Sequence, residues 1–147
     1  MITPQDHKSR ESGQAPQLSC NIILAGREEQ AWVPFSLELL NVPKVSLNFY
    51  LSGSDALAAI SKNNQPDVVI CDEVLGDMTG LEFINKLLSI APMVNSAVIS
   101  GLDHDDFHEE SEGLGIMMQL PLEPDRKSAI KLIEKLRKIY SLSSNIK

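Results

Sequence analysis

The sequence is short of cysteine, of aromatic residues and of positive charge, and it has no long apolar run. Its only two cysteines, Cys20 and Cys71, lie far apart and in or beside apolar stretches. That excludes a disulfide framework and a CxxC redox or zinc motif, and a buried reduced thiol in such a place acts as a small hydrophobe. Aromatic residues make up 5% of the chain, so a core must be built mainly from aliphatic side chains. Lys and Arg number 13 against 20 Asp and Glu, a net charge of −7 with an isoelectric point near 4.9. No Lys/Arg cluster interrupts this balance before the C-terminal segment, which argues against nucleic-acid backbones and anionic membrane surfaces as partners. No run reaches membrane-spanning length, and residues 1–17 lack the apolar stretch of a signal peptide. The default expectation is a cytoplasmic protein without membrane insertion or direct nucleic-acid binding.

What is present suits one globular domain: 147 residues with 43% hydrophobic content can bury a core without staples. Residues 1–17 are polar and broken by Pro4 and Pro16, and are expected to form a disordered tail. The folded unit is expected over 18–140, with 141–147 as a short C-terminal tail, so that any output function would reside in another chain. Three continuous apolar runs, Ile22-Ile23-Leu24-Ala25, Val68-Val69-Ile70-Cys71 and Ala97-Val98-Ile99, read as central strands covered on both faces. The alternation in 45–51 marks an edge strand, and 116–120, ended by Pro121, a fifth and weaker one. Helices are expected over 54–62 with Ser54 as N-cap, 81–90, 103–112 and 125–140, and a late-starting one near 32–40 that carries Pro34 in its first turn. Strands alternating with helices imply right-handed crossovers and a parallel sheet with helices on both faces.

The most informative stretch runs from Pro66 to Gly80, where an apolar strand drives into Asp72 and then turns into a helix. A carboxylate at the carboxyl end of a buried strand stands where open α/β sheets do chemistry. This segment resembles the phosphoacceptor segment of two-component response-regulator receiver domains, Asp72 matching the aspartate that the family phosphorylates and Gly80 the glycine that closes the loop. Val98-Ile99-Ser100-Gly101 is similar to the family's fourth strand, with Ser100 at its Thr/Ser switch position. The resemblance implies a CheY-like, flavodoxin-like (βα)5 fold, a doubly wound parallel sheet of strand order 2-1-3-4-5. It also implies signalling proteins as partners, a histidine kinase or a downstream effector, with homodimerisation open, and no enzymatic activity beyond self-phosphorylation.

Four positions depart from the family pattern. The two acidic residues that bind Mg²⁺ after the first strand are replaced by Gly26 and Arg27, the lysine by Leu120, and the fifth-strand aromatic by Met117. Phosphoryl transfer to a carboxylate brings two anions together, and the catalyst is chiefly charge neutralisation by metal and cation. With both sources missing, the sequence points to an atypical receiver that needs no metal or cofactor and acts through protein contacts. Arg27 is a candidate replacement, a guanidinium paired with Asp72 that would hold one conformation; the plainer reading leaves it in water. An alternative keeps Asp72 as a working phosphoacceptor, with Glu28 or Glu29 assisting Mg²⁺. A second alternative, a flavodoxin-like cofactor binder, lacks a glycine-rich phosphate loop after the first strand.

Other residues carry weaker signals. His104 and His108 have the i, i+4 spacing of a helical metal site, but an acidic exposed helix needs no ligand. Met117 and Met118 read as strand packing, and Cys71 as core. Glu73 should face away from Asp72 by strand alternation, and Asp77 and Thr79 read as turn formers. Trp32 is either a partner anchor or a cover for the first helix.

Overall fold

The apolar runs pair into one sheet. A computed structural model describes residues 19–61 and 63–146, so the tail expected over 1–17 lies outside the described residues. Strands β1 (Cys20–Ala25), β2 (Val45–Tyr50), β3 (Val68–Cys71), β4 (Asn95–Ile99) and β5 (Met118–Leu120) are all parallel, in the order β2-β1-β3-β4-β5. Every residue of β3 is buried, as its unbroken apolar run requires, whereas β2 alternates between half-buried and exposed along most of its length at the sheet edge. Ala25 pairs with Cys71 and Cys71 with Val98, so the chain leaves β1, β3 and β4 at one level of the sheet rim.

Helices α1 (Val33–Leu40), α2 (Gly53–Ala58), α3 (Gly80–Ile90), α4 (His104–Glu110) and α5 (Arg126–Ile146) fill the crossovers. On one face Ile22, Leu24, Val68 and Ile70 pack against Phe35 and Leu39 of α1 and Leu132 and Leu136 of α5. On the other, Ile23, Val69, Cys71 and Val98 pack against Phe83, Ile84 and Leu87 of α3. Trp32 ends a short 3₁₀ turn, Glu29–Trp32, and is buried at 1% exposure, edge-on to Phe35 with ring centroids 5.4 Å apart. It is therefore a cover for the first helix and not a surface anchor.

Several boundaries differ from expectation for local reasons. Ser52, not Ser54, caps α2, its Oγ accepting from Asp55 N–H at 3.0 Å, and the helix ends at Ala58 instead of 62. Strand β5 begins only at Met118. Helix α5 continues through Ile146 rather than stopping at Tyr140, because 141–146 hold no glycine or proline to break it. No described helix is long and apolar enough to cross a membrane.

Candidate functional site

Backbone pairing continues one residue past the strand ends and assembles the site. Asp72 N–H donates to the Ala25 carbonyl and Gly26 N–H to the Tyr50 carbonyl, both at 3.0 Å. Arg27 thereby comes beside Asp72, and its backbone N–H donates to Asp72 Oδ2 at 3.3 Å. Asp72 is half-buried in a cavity of about 630 Å³ lined by Arg27, Glu28, Ala31, Asp72, Glu73, Val74, Ile99 and Leu122. Three acidic residues and one arginine line this space.

Of the two readings of Arg27, the candidate ion pair with Asp72 is not formed. Among the described residues the ion pair is Arg126 Nε to Glu38 Oε1, at 2.8 Å on the surface. Arg27 is exposed and meets Asp72 through its backbone, so its guanidinium keeps its hydration instead of exchanging it for a single solvent-screened contact. Glu73 also departs from expectation. Strand β3 ends at Cys71, alternation ends with it, and Glu73 turns into the same cavity as Asp72. Its Oε2 accepts from Gly101 N–H at 3.0 Å, while its carbonyl accepts from Gly80 N–H at 2.9 Å.

The donor set does not fit the magnesium ion of the receiver fold. Gly26 brings no carboxylate, and a Cβ there would lie 2.5 Å from Trp32 Nε1 and 3.2 Å from Phe49 Cε1, so the indole fills the room an acidic side chain would need. Arg27 adds a cation where the ion wants anionic oxygen. Glu28 lines the cavity, but Glu29 turns into the 3₁₀ segment and does not. Among the described residues no group of three or more His, Cys, Asp or Glu could hold a metal, and that includes His104 and His108 on α4.

Ser100 and Leu120 meet at the ends of β4 and β5, outside the Asp72 cavity. Ser100 is 7% exposed, and its Oγ accepts from Leu102 N–H at 3.1 Å. Its backbone N–H donates to the Leu120 carbonyl at 3.0 Å, and Gln119 Nε2 clamps the Ser100 and Leu102 carbonyls at 3.2 and 2.8 Å. Leu120 is fully buried in the core, so its side chain leaves the rim entirely. Leu122, 60% exposed, takes the cavity mouth instead. Cys71 is core, as read: burial, and then the neighbouring Asp72 charge, push its thiol far above the ordinary range, which leaves it protonated and unreactive.

Sequence reasoning missed the tie between the acceptor loop and α2. Asp77 Oδ1 and Oδ2 accept from Gly53 and Ser54 N–H, each at 2.9 Å, across 24 and 23 residues. These bonds, the one from Gly53 first, lower its pKa to about 2. The carboxylate follows Leu75-Gly76 in a tight loop closed by Leu75 N–H to the Met78 carbonyl at 2.8 Å, and only the loop position, not any local pattern, aims it at a distant helix start. Because the folded value lies below the unfolded one, the stabilisation is complete above about pH 4 and is lost as pH falls towards 2. Asp77→Asn should flatten the fall of the urea midpoint between pH 4 and 2; an unchanged slope would assign that loss to other carboxylates. Thr79 proves to be more than a turn former, since with Glu82 it makes a reciprocal capping box that starts α3.

No protein-family model matches the sequence, and comparison with curated proteins finds no match. Solved structures do match. A CheY-like receiver domain protein from Methanospirillum hungatei JF-1 aligns with a TM-score of 0.72 at 14% identity, over 86% of this chain and 99% of that one. The chemotaxis response regulator CheY4 of Vibrio cholerae gives 0.67 at 17%, over 80% and 98%. The receiver domain of Francisella response regulator 1452 gives 0.69 at 16%, over 83% and 99%. At such identities the likeness speaks for architecture, and the strand order and two-faced helix layering agree with it. The chain thus has the flavodoxin-like fold of CheY-like response-regulator receiver domains.

Proposed function

We propose that the protein is an atypical, non-enzymatic receiver module of two-component signalling that works through contacts with other signalling proteins, without phosphoryl transfer to Asp72. The observation that carries this reading is the charge inventory of the cavity: among the described residues Asp72, Glu28 and Glu73 are opposed by Arg27 alone, and Arg27 makes no ion pair with Asp72. An incoming phosphoryl anion would meet net negative charge. One backbone donor at the rim, Gly101 N–H, already serves the Glu73 carboxylate. A single well-placed stabilising group is worth about 3 to 4 kcal/mol, on the order of a hundredfold or more in rate. Loss of both the metal and the lysine therefore leaves negligible turnover.

Incubation with a small acyl phosphodonor and Mg²⁺, read by intact-protein mass spectrometry, tests the proposal. The expected result is no stoichiometric adduct. An adduct that disappears in Asp72→Asn would overturn it and favour the competing reading, in which Glu28 on the cavity wall helps to hold the ion.

A further inference from the structure

Beside the Asp72 cavity lies a second depression, which Thr79 and Ser100 also border. It measures about 430 Å³ and runs between the turn after β3, the start of α3 and the inner side of α4. Its apolar lining comes from Val74, Leu81, Val98, Ile99, Leu102 and Phe107, and its carboxylates from Glu73 and Glu110. The two depressions share Glu73, Val74 and Ile99 and therefore adjoin along the turn after β3, a two-part groove between Leu122 and Phe107. Val74, Leu102 and Leu122 present 47%, 41% and 60% of their surface to solvent along it.

Burying these side chains would release apolar surface from water, and their clustering over one groove marks an interaction site more than scattered surface leucines would. The charge around them selects the occupant. Glu28, Asp72, Glu73 and Glu110 line the groove, and among the described residues Arg27 is its only basic lining residue. We infer that the groove docks a segment of a partner protein in which lysine or arginine flanks leucine-like side chains, the apolar groups on the Val74–Leu102–Phe107 floor and the cations against the Glu28, Asp72 and Glu110 carboxylates.

A second copy of this chain matches less well. Its basic surface is α5, where Lys131, Lys135 and Lys138 flank Met118. Ala129, Leu132, Ile133 and Leu136 of that helix are buried in the core and Ile130 is 37% exposed, so the helix has cations to offer but little apolar surface beside them to cover the floor.

The inference rests on the reading of the protein as a contact module, but its test is separate from the phosphodonor assay. The probe is a synthetic amphipathic helix of leucine and lysine, titrated into the full chain and followed by backbone and methyl NMR. A twin with glutamate for lysine and another with serine for leucine serve as controls. Shifts should centre on Val74, Leu81, Leu102 and Glu110, and both twins should bind at least about tenfold more weakly. Val74→Lys and Leu102→Lys, at exposed positions, should each weaken the lysine peptide by about tenfold while leaving the folded spectrum intact. Equal binding of the serine twin, shifts confined to the outer carboxylates of α4, or unchanged affinity in both lysine variants would overturn the inference. So would concentration-dependent self-association that fills the same groove and excludes the peptide. A phosphoryl adduct on Asp72 would remove the proposed function and leave these peptide results standing.

Discussion

Trp32→Ala should cost about 3 to 5 kcal/mol of folding stability, the range for removing a large buried aromatic. The indole is 1% exposed and packs edge-on against Phe35, and it borders Gly26 at the end of β1. Its loss would open a cavity at the junction of the 3₁₀ turn, α1 and the sheet rim, lined by groups held in place by their own strands and unable to collapse fully. Since Trp32 is the only tryptophan in the sequence, guanidinium unfolding should be followed by far-UV circular dichroism, not by intrinsic fluorescence. The midpoint should fall with little change in slope. A shift worth less than about 1 kcal/mol would mean that the ring is a surface cover and not part of the core.

The same contact explains why an acidic pair cannot simply be put back. In the receiver pattern the residues after β1 carry carboxylates, but here Gly26 leaves its space to the Trp32 indole. The packing and the missing metal ligand are thus one structural choice, and an aspartate at 26 would have to displace a core aromatic before it reached the cavity. The first-strand departure and the Trp32 side chain are separated by only a few residues in sequence. Their opposition across the 3₁₀ turn emerges only in three dimensions.

How far the sequence could be read follows from which signals are local. The run 68–71 was legible to the residue because an unbroken apolar segment has one stable use in a parallel sheet, and β2 betrayed its edge position through alternation. The five-strand order came from the resemblance around Asp72, and the pairing of Ala25 with Cys71 and of Cys71 with Val98 agrees with it. The sequence points to Ser54 as the cap because Ser52 and Ser54 are equivalent as residue types, and only the backbone bend after Leu51 distinguishes them. Alternation failed at Glu73 because it holds only inside a strand. Arg27 stays open between pairing and solvent for a different reason: a long cation on an exposed loop goes where hydration and nearby charge send it, and two positions of register say little about that. The Asp77 tie was invisible, since a carboxylate in a turn can cap its own loop or someone else's helix with the same local sequence.

Gly80→Ala should destabilise the fold by about 3 kcal/mol or more, at or beyond the upper end of ordinary overpacking. Two effects oppose each other at this position. As the first residue of α3, alanine would gain up to about 1 kcal/mol of helix propensity over glycine. Against that, its Cβ would collide with the backbone carbonyl oxygen of Asp72 and press within 3.3 Å of Cys71 Sγ and Val98 Cγ1. A carbonyl whose neighbours are tied into the sheet cannot swing aside as a flexible side chain would, because Asp72 N–H is bonded to Ala25 and Gly80 N–H to Glu73. The steric term therefore wins, and relief must come from moving the whole turn that carries Asp72. Gly76→Ala is the matched control, with nothing within 4 Å of its added methyl, and should change stability by less than about 0.5 kcal/mol. Urea unfolding of the two variants side by side decides the point. If Gly80→Ala is as stable as Gly76→Ala, the close approach of α3 to the Asp72 turn is not what shapes the site.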